Sequence, residues 1–380
     1  MTYFFILGNH PDLSKAEIKT KLNQLQIEFE IESDANDFLI LNIKQEIESS
    51  FLIKQLAGTI KIGEIIREIS KPTPEMLAKE LPESDTKMCF GISPYNYHFD
   101  VQKTGLQLKK LLKQNNVKAR FVSSKTYPLS SVIVQKNLIA KGGIELVIIK
   151  ADKQIFLGKT LAVQPFELFS KLDFGRPARD DFSGMIPPKL AQIMINLSGT
   201  NFNQAILDPF CGSGTILQQA IFLGHKNITG TDASKKAITD SKENLAWLSS
   251  IGYKNNCKVW QQDIQNLTQK VTPNSINAIV TEPYLGPPIR GNESENQLEH
   301  IMRELKKLYR AAFKSMSTVL KQSGTIIIVI PSIKIKGKFY TIDMQDLLPQ
   351  DLELDMSWQY SRSNQFIVRN ICKVKKAKED

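Results

Sequence analysis

The sequence predicts an α/β protein with a helix-covered parallel sheet in its second half and two smaller α+β units in its first half. After residue 188, apolar strand-length segments alternate with helical ones, which is the pattern of a parallel sheet covered on both faces. A glycine-containing loop follows the first of these strands. The length of 380 residues exceeds what one hydrophobic core usually organises, so two or three domains are expected.

The first unit is expected to span residues 1–70. The segments YFFILG and FLILNI predict strands, and Ser14 with Glu17 three residues later predicts a capped helix between them. The second unit, 71–169, starts with a proline-containing connection. In it MCFGIS, SSVIVQ and IELVIIK predict strands and TGLQLKKLLKQ predicts a helix.

Residues 170–188 form a linker because glycines and prolines interrupt every hydrophobic period. The third unit, 189–380, begins with the helix KLAQIMINLSG. Its predicted strands are AILDPF, ITGTD, CKVWQQD, INAIVTEP and GTIIIVIP. Before the fifth strand, an apolar stripe from Leu298 to Leu320 predicts a long helix packed on the core. The two extended runs DLELDMSWQYS and NQFIVRNICKV predict a closing antiparallel hairpin.

The loop after the first strand of the third unit carries the clearest motif. It reads Asp208, Pro209, Phe210, Cys211, Gly212, Ser213, Gly214, Thr215. In an open α/β sheet such a loop lets the backbone approach a bound cofactor. A dinucleotide fingerprint needs a third glycine, and a leading carboxylate suits a cationic amine better than pyrophosphate. The motif therefore predicts a site for S-adenosyl-L-methionine in a Rossmann-like class I methyltransferase domain.

Two further acids follow the next strands. Asp232, with Ala233 after it, ends the second strand, where a carboxylate can accept both ribose hydroxyls. Asp263, followed by Ile264, ends the third strand and is expected to receive the adenine amino group.

The fourth strand ends in Glu282, Pro283 and Tyr284, where an acceptor would meet the methyl group. An exocyclic amine on a base is a poor nucleophile, so the site must accept its hydrogen bonds and aim its lone pair. Glu282 and the Pro283 carbonyl can accept such bonds, and Tyr284 can stack on the base. Methyl transfer depends mainly on positioning, so no metal is expected.

Charge is concentrated in one stretch of the chain. The formal net charge is +10, and residues 101–150 hold ten Lys or Arg against the single acid Glu145. Such a one-sided block indicates contact with a nucleic-acid backbone. The residues expected to bind RNA are Lys109, Lys110, Lys113, Lys118, Arg120, Lys125 and Lys136.

Over nearly its whole length the sequence resembles the archaeal and eukaryotic tRNA guanine-N2 methyltransferases that act on guanosine 10. The resemblance includes GTIKIGEII, LGKTLAVQPFE, RPARDDFSGMIPPKLAQIMINL and DPFCGSGT. It implies a ferredoxin-like N-terminal domain, a THUMP domain that helps to bind tRNA, and methylation of guanine N2. Members of the family usually carry Asp-Pro-Pro-Tyr, whereas this chain has Glu282-Pro283-Tyr284-Leu285, so the acceptor loop differs.

Other readings remain open at this stage. The altered loop also fits a non-catalytic RNA-binding protein, and the cofactor loop also fits an adenine-N6 methyltransferase; an NAD-dependent dehydrogenase fits less well. Arg176, Arg179 and Asp180 in the linker either contact RNA or brace the joint between domains.

The remaining expectations concern setting and partners. Because the sequence has no long apolar run and no secretory pattern, we expect a cytoplasmic protein without a membrane span. Four widely spaced cysteines indicate reduced thiols. The expected partner is tRNA. A small activator subunit is compatible with the sequence, but no feature of the sequence indicates one.

Overall fold

The computed structural model describes residues 1–82, 87–178, 185–362 and 365–377. The chain divides into two compact units. Unit 1 comprises residues 1–18 and 25–167, and unit 2 comprises residues 19–24 and 168–380. Within the described ranges no helix is both long and apolar enough to span a bilayer.

Unit 1 is a mixed α/β structure built on one sheet. Its strands are β1 (Thr2–Leu7), β2 (Phe29–Asp34), β3 (Phe38–Ile43), β4 (Thr59–Ile69), β5 (Met88–Tyr95), β6 (Ala119–Phe121), β7 (Ile144–Ala151) and β8 (Gln154–Val163). Its helices are α1 (Pro11–Gln24, of which residues 19–24 belong to unit 2), α2 (Ser49–Gln55), α3 (Pro74–Ala78), α4 (Val101–Gln114) and α5 (Ser131–Asn137). Among the described residues, the strands pair in the order β2-β3-β1-β4-β8-β7-β5-β6.

The two predicted N-terminal domains share this sheet. Strand β4 pairs antiparallel with β8, from Lys61 opposite Val163 to Ile69 opposite Ile155, so main-chain bonds join the segments before and after residue 70. The expected boundary between 1–70 and 71–169 lies inside unit 1 and stays a prediction. The long segment of unit 2 starts at Leu168, two residues before the expected linker.

Two local predictions in unit 1 were wrong. The segment SSVIVQ forms the start of helix α5 rather than a strand, because Ser130 caps it by accepting a hydrogen bond from the Ile133 amide. This cap outweighs the strand propensity of three β-branched residues. Ser14 lies inside α1 and donates to the His10 carbonyl instead of capping the helix, which begins at Pro11.

Unit 2 contains the predicted alternation of strands and helices. Its strands are β9 (Ala205–Asp208), β10 (Asn227–Asp232), β11 (Lys258–Gln261), β12 (Ile276–Thr281), β13 (Leu320–Ile335), β14 (Lys338–Tyr340), β15 (Leu352–Tyr360) and β16 (Ile367–Lys376). The helices are α6 (Phe166–Phe174, which starts in unit 1), α7 (Pro188–Leu197), α8 (Thr215–Phe222), α9 (Lys235–Ser250) and α10 (Glu295–Val319).

The sheet of unit 2 confirms the Rossmann-like prediction. The strand order is β11-β10-β9-β12-β13-β16-β15. The pairs from β11 to β13 are parallel, and β16 is antiparallel to both β13 and β15. This is the predicted parallel sheet closed by a C-terminal hairpin. Helix α10 buries Leu298, Leu305 and Phe313 against the core, as its apolar stripe predicted.

Candidate active site

A cavity of about 500 Å³ lies in unit 2 beside the carboxyl ends of β9, β10 and β12. Parallel strands place the residues that follow them at one sheet edge, where ligands of open α/β sheets bind. Every residue predicted for the cofactor or the acceptor lines this cavity except Gly214. The volume lies in the range of small-molecule sites.

The glycine loop connects β9 to α8. Gly212 has φ +51° and its amide donates a 3.0 Å hydrogen bond to Asp232 Oδ2. Gly214 has φ +84° at the start of α8, and a Cβ there would lie 2.6 Å from Ser241 Oγ. Both positions therefore favour glycine, but Gly212 faces the cavity whereas Gly214 allows close packing on α9.

Asp208 is the most deeply buried acid of the cavity. Its Oδ1 accepts hydrogen bonds from Thr281 Oγ1 at 2.7 Å and from the Phe210 amide at 3.2 Å. Burial raises the pKa of Asp208 to about 7; the negative charges of Asp232 and Glu282 add to this, and the two hydrogen bonds oppose it. A cation placed in the cavity would favour the ionised form.

Asp232 and Asp263 have open carboxylates beside the cavity. Asp232 Oδ1 accepts a 2.8 Å hydrogen bond from the Ser234 amide, which leaves each of its oxygens with further acceptor capacity. Asp263 is exposed, and its Oδ1 accepts from the Gln265 amide at 2.8 Å. Ile264 beside it is buried and supplies an apolar wall.

The acceptor motif follows β12 directly. Glu282 Oε1 accepts a 2.7 Å hydrogen bond from Arg369 Nε, and both side chains are 8% exposed. Burial raises the pKa of Glu282, and the Arg369 charge opposes that rise. Pro283 is buried, whereas Tyr284 is 56% exposed. Its carbonyl accepts a 3.1 Å hydrogen bond from the Tyr309 hydroxyl, so the backbone is anchored while the ring is accessible.

Several residues of the site were not predicted from the sequence. Arg369 lies 87 residues beyond Glu282, and no local pattern connects them. Thr281 is the last residue of β12, and nothing in the surrounding sequence indicates that its hydroxyl would bind Asp208. Asn244 on α9 donates to the carbonyls of Ser213 and Ala178 at 2.8 and 2.9 Å, which ties the linker to the glycine loop.

The structure also bears on the linker arginines. Arg176 is 4% exposed and its Nη1 donates a 2.6 Å hydrogen bond to Thr215 Oγ1. It therefore braces the glycine loop inside unit 2. Arg179 and Asp180 lie outside the described residues.

The basic block of unit 1 is exposed at all seven positions predicted to bind RNA. Lys109, Lys110, Lys113 and Lys118 line one groove together with Lys87. Arg120, Lys125 and Lys136 do not line it, and Lys136 forms a 3.2 Å ion pair with Glu167.

The acid of the block does not interrupt its positive surface. Glu145 is fully buried and forms a 2.6 Å ion pair with Lys61. Ser93 and Thr160 donate further hydrogen bonds to its carboxylate. No acid of residues 101–150, all of which the structure describes, is exposed.

Comparison with known proteins places a methyltransferase domain over the same residues. Residues 176–341 match the UPF0020 family model, described as an RMKL-like methyltransferase domain. The solved structure of TrmN from Thermus thermophilus superimposes with a TM-score of 0.59 at 16% identity, covering 99% of this chain and 100% of that one. The domain and its cavity therefore define a methyl-transferring enzyme of the S-adenosylmethionine-dependent class.

Among curated proteins the chain is similar to archaeal enzymes. The tRNA (guanine(10)-N2)-dimethyltransferase of Methanothermobacter thermautotrophicus is 25% identical over 329 residues, which cover 85% of this chain and 86% of that protein. The protein of the same name from Pyrococcus abyssi is 28% identical over 167 residues, covering 41% of this chain and 45% of that protein.

The residues of the cavity fit S-adenosylmethionine. Gly212 leaves open space where a Cβ would stand, so the loop offers room for a ligand against its backbone. A buried carboxylate at Asp208 matches an ammonium group, and Asp232 at the end of β10 matches ribose hydroxyls. No group of three or more His, Cys, Asp or Glu side chains in the described ranges is arranged to hold a metal ion.

Proposed function

We propose that this chain is a tRNA methyltransferase that methylates the exocyclic N2 amine of a guanine, at position 10 of the tRNA. The observation that carries the proposal is the position of Glu282, Pro283 and Tyr284 in the wall of the cavity that also holds the glycine loop. The long match to an enzyme named for guanine(10)-N2 dimethylation supports the choice of base.

The cofactor residues have distinct proposed roles. Asp208, once ionised, accepts a hydrogen bond from the amino group of the methionine part, and Asp232 accepts the ribose hydroxyls. Asp263 receives the adenine amine, and Ile264 packs on the adenine ring. S-adenosylmethionine, when bound, supplies an electrophilic methyl group attached to a sulfonium.

The acceptor residues orient the amine. Glu282 Oε2 and the Pro283 carbonyl accept the two N2 hydrogens, which directs the nitrogen lone pair toward the methyl carbon. Tyr284, with its exposed ring, stacks on the guanine. The N–C bond forms as the C–S bond breaks with its electron pair on sulfur, and the methylated nitrogen then releases a proton to solvent. The Glu282 carboxylate stabilises the positive charge that develops on the nitrogen.

The basic block supplies affinity for the RNA backbone. Lys109, Lys110, Lys113 and Lys118 face one groove, and their charges attract phosphates irrespective of sequence. A guanine in a paired stem must leave the stack at a cost of a few kcal/mol, which such contacts offset.

The test is a methyl-transfer assay with labelled S-adenosylmethionine and unmodified tRNA transcript, followed by mass spectrometry of the nucleosides. We expect methylated N2-guanosine, and loss of signal when guanosine 10 is replaced by adenosine. Label in N6-methyladenosine would show that the enzyme methylates adenine N6 instead. Absence of label, with RNA still bound, would indicate a non-catalytic RNA-binding protein. Glu282→Ala is the matched control, expected to bind RNA and cofactor without methylating.

A further inference from the structure

The ion pair between Glu282 and Arg369 joins two distant parts of the sheet. Glu282 follows β12, whereas Arg369 belongs to β16, and β13 lies between these strands. Two strand spacings amount to about 10 Å, so the contact requires two long side chains. An aspartate at position 282 would be one methylene shorter, which gives a physical reason for the glutamate at this position.

The position of Arg369 is fixed by its neighbours. It lies opposite Pro331 of β13, which has no amide to donate to the ladder. The adjacent Asn370 ties β16 to β13 at this point, because its Nδ2 donates to the Ile330 carbonyl at 3.0 Å and to Ser332 Oγ at 2.7 Å. The guanidinium is therefore held at a defined place beside the cavity.

The pair leaves one carboxylate oxygen available. Within the described residues, the hydrogen bond to Glu282 ends on Oε1, so Oε2 is the atom that can accept from an amine. A carboxylate with so little exposure would otherwise favour the neutral acid, which donates its proton instead of accepting. Arginine stays charged at all relevant pH values.

We propose that Arg369 is a positioning residue for methyl transfer: it holds the Glu282 carboxylate ionised, with Oε1 engaged and Oε2 directed at the acceptor amine. This inference rests on the proposed function. Arg369 acts through Glu282 and not on the cofactor, so its loss should affect the rate constant and its pH dependence, and leave cofactor affinity unchanged.

The experiment compares Arg369→Gln, Arg369→Lys and Glu282→Asp by single-turnover methylation from pH 5.5 to 9. We expect Arg369→Gln to slow the reaction on the order of 100-fold at neutral pH and to move the acidic limb of the profile to higher pH. Arg369→Lys keeps the charge, so the acidic limb of its pH profile should lie where it does in wild type. The reaction should still be slower than in wild type. Glu282→Asp cannot reach Arg369, so adding Arg369→Gln to it should cause no further loss.

The matched control is Lys373→Gln, which removes another cation of β16 from an ion pair with Asp355 away from the cavity. It should leave both rate and pH profile unchanged. An unshifted acidic limb in Arg369→Gln, or a loss of rate proportional to a loss of S-adenosylhomocysteine binding, would overturn the inference. If Arg369→Gln does not fold, Arg369→Met, which also removes the charge, is measured in its place against the same criteria.

A second measurement separates this inference from the proposed function. The ¹³C carboxyl resonance of Glu282, assigned by comparison with Glu282→Gln, can be titrated without any RNA. A higher titration midpoint in Arg369→Gln supports the pairing role even if the wild-type chain methylates no tRNA. An active wild-type enzyme whose Glu282 titrates identically with and without Arg369 would refute the pairing role and leave the function intact.

Discussion

Thr281 Oγ1 donates a 2.7 Å hydrogen bond to Asp208 Oδ1, and this bond links the strand that carries the acceptor motif to the strand that carries the cofactor loop. It favours the ionised form of Asp208, whose pKa burial raises to about 7. Cofactor binding should therefore depend on pH in a range where ordinary aspartates do not titrate.

We expect the affinity for S-adenosylhomocysteine to rise between pH 6 and pH 8. Below its pKa, Asp208 is protonated and accepts an ammonium group poorly. Thr281→Val removes the hydrogen bond at constant shape, so it should move the midpoint to higher pH. Isothermal titration calorimetry at several pH values measures this. Asp208→Asn should bind weakly with a flat profile, and a wild-type profile equally flat would contradict the prediction.

Asp208 should also reduce the stability of unit 2 at neutral pH. Its pKa is raised from 3.8 to about 7, so the folded state binds the proton more tightly than the unfolded state does. The free energy of unfolding then falls as pH rises from about 4 to about 7. Asparagine does not titrate, so Asp208→Asn should not lose stability in this way. The Tm of Asp208→Asn minus that of wild type should therefore be larger at pH 8 than at pH 5.

Tryptophan fluorescence can follow this unfolding, because Trp247, Trp260 and Trp358 all belong to unit 2. An equal difference in Tm at both pH values would rule out the titration of Asp208 as its cause.

The two glycines of the loop should respond differently to alanine. Gly214→Ala places a Cβ 2.6 Å from Ser241 Oγ, so it should destabilise unit 2 beyond the roughly 1–2 kcal/mol expected for a left-handed residue. Adding Ser241→Ala should recover the excess. Gly212→Ala meets no protein atom and should chiefly weaken cofactor binding. Urea unfolding and calorimetry on the same samples distinguish the two; a more destabilising Gly212→Ala would contradict the assignment.

Removing one partner of the buried Lys61–Glu145 pair should lower the free energy of unfolding far more than replacing both partners by apolar residues. Glu145→Gln leaves Lys61 as an uncompensated cation with 1% exposure, which should cost about 3–5 kcal/mol in the free energy of unfolding. The double variant Lys61→Met with Glu145→Leu should be far less destabilised. Urea unfolding followed by far-UV circular dichroism measures both variants, and equal losses for the single and the double variant would contradict the prediction.

The basic groove should control the salt dependence of RNA binding. The logarithm of the RNA association constant falls linearly with the logarithm of the salt concentration. Replacing Lys109, Lys110 and Lys113 by glutamine should make this negative slope less steep by about 2–3 without changing the affinity for S-adenosylhomocysteine. A control with Lys44, Lys54 and Lys71 changed to glutamine removes as much charge from unit 1 outside the block. Equal slopes for the two triple variants would exclude a specific role for the groove.

The sequence predicted features that local patterns encode. The alternation of strands and helices, the stripe of α10 and the loop from Asp208 to Thr215 each depend on neighbours in sequence. The acids at successive strand ends could be placed together because parallel strands bring their carboxyl ends to one edge.

Contacts between distant segments could not be predicted in this way. Arg369 approaches Glu282 only because β16 inserts beside β13, and the antiparallel hairpin alone does not fix that register. The strand prediction for the α5 segment was wrong for a different, local reason: the cap at Ser130 outweighed a composition that favours a strand.

The distance in sequence between Glu282 and its cation has a consequence for synthesis of the chain. At about 5–20 residues per second, the ribosome needs roughly 4–17 s to add the 87 residues that separate them. During that interval the emerging parallel strands lack both the hairpin and the arginine. Glu282 therefore has no arginine partner until β16 has emerged, and the ion pair that engages its carboxylate can form only after that point.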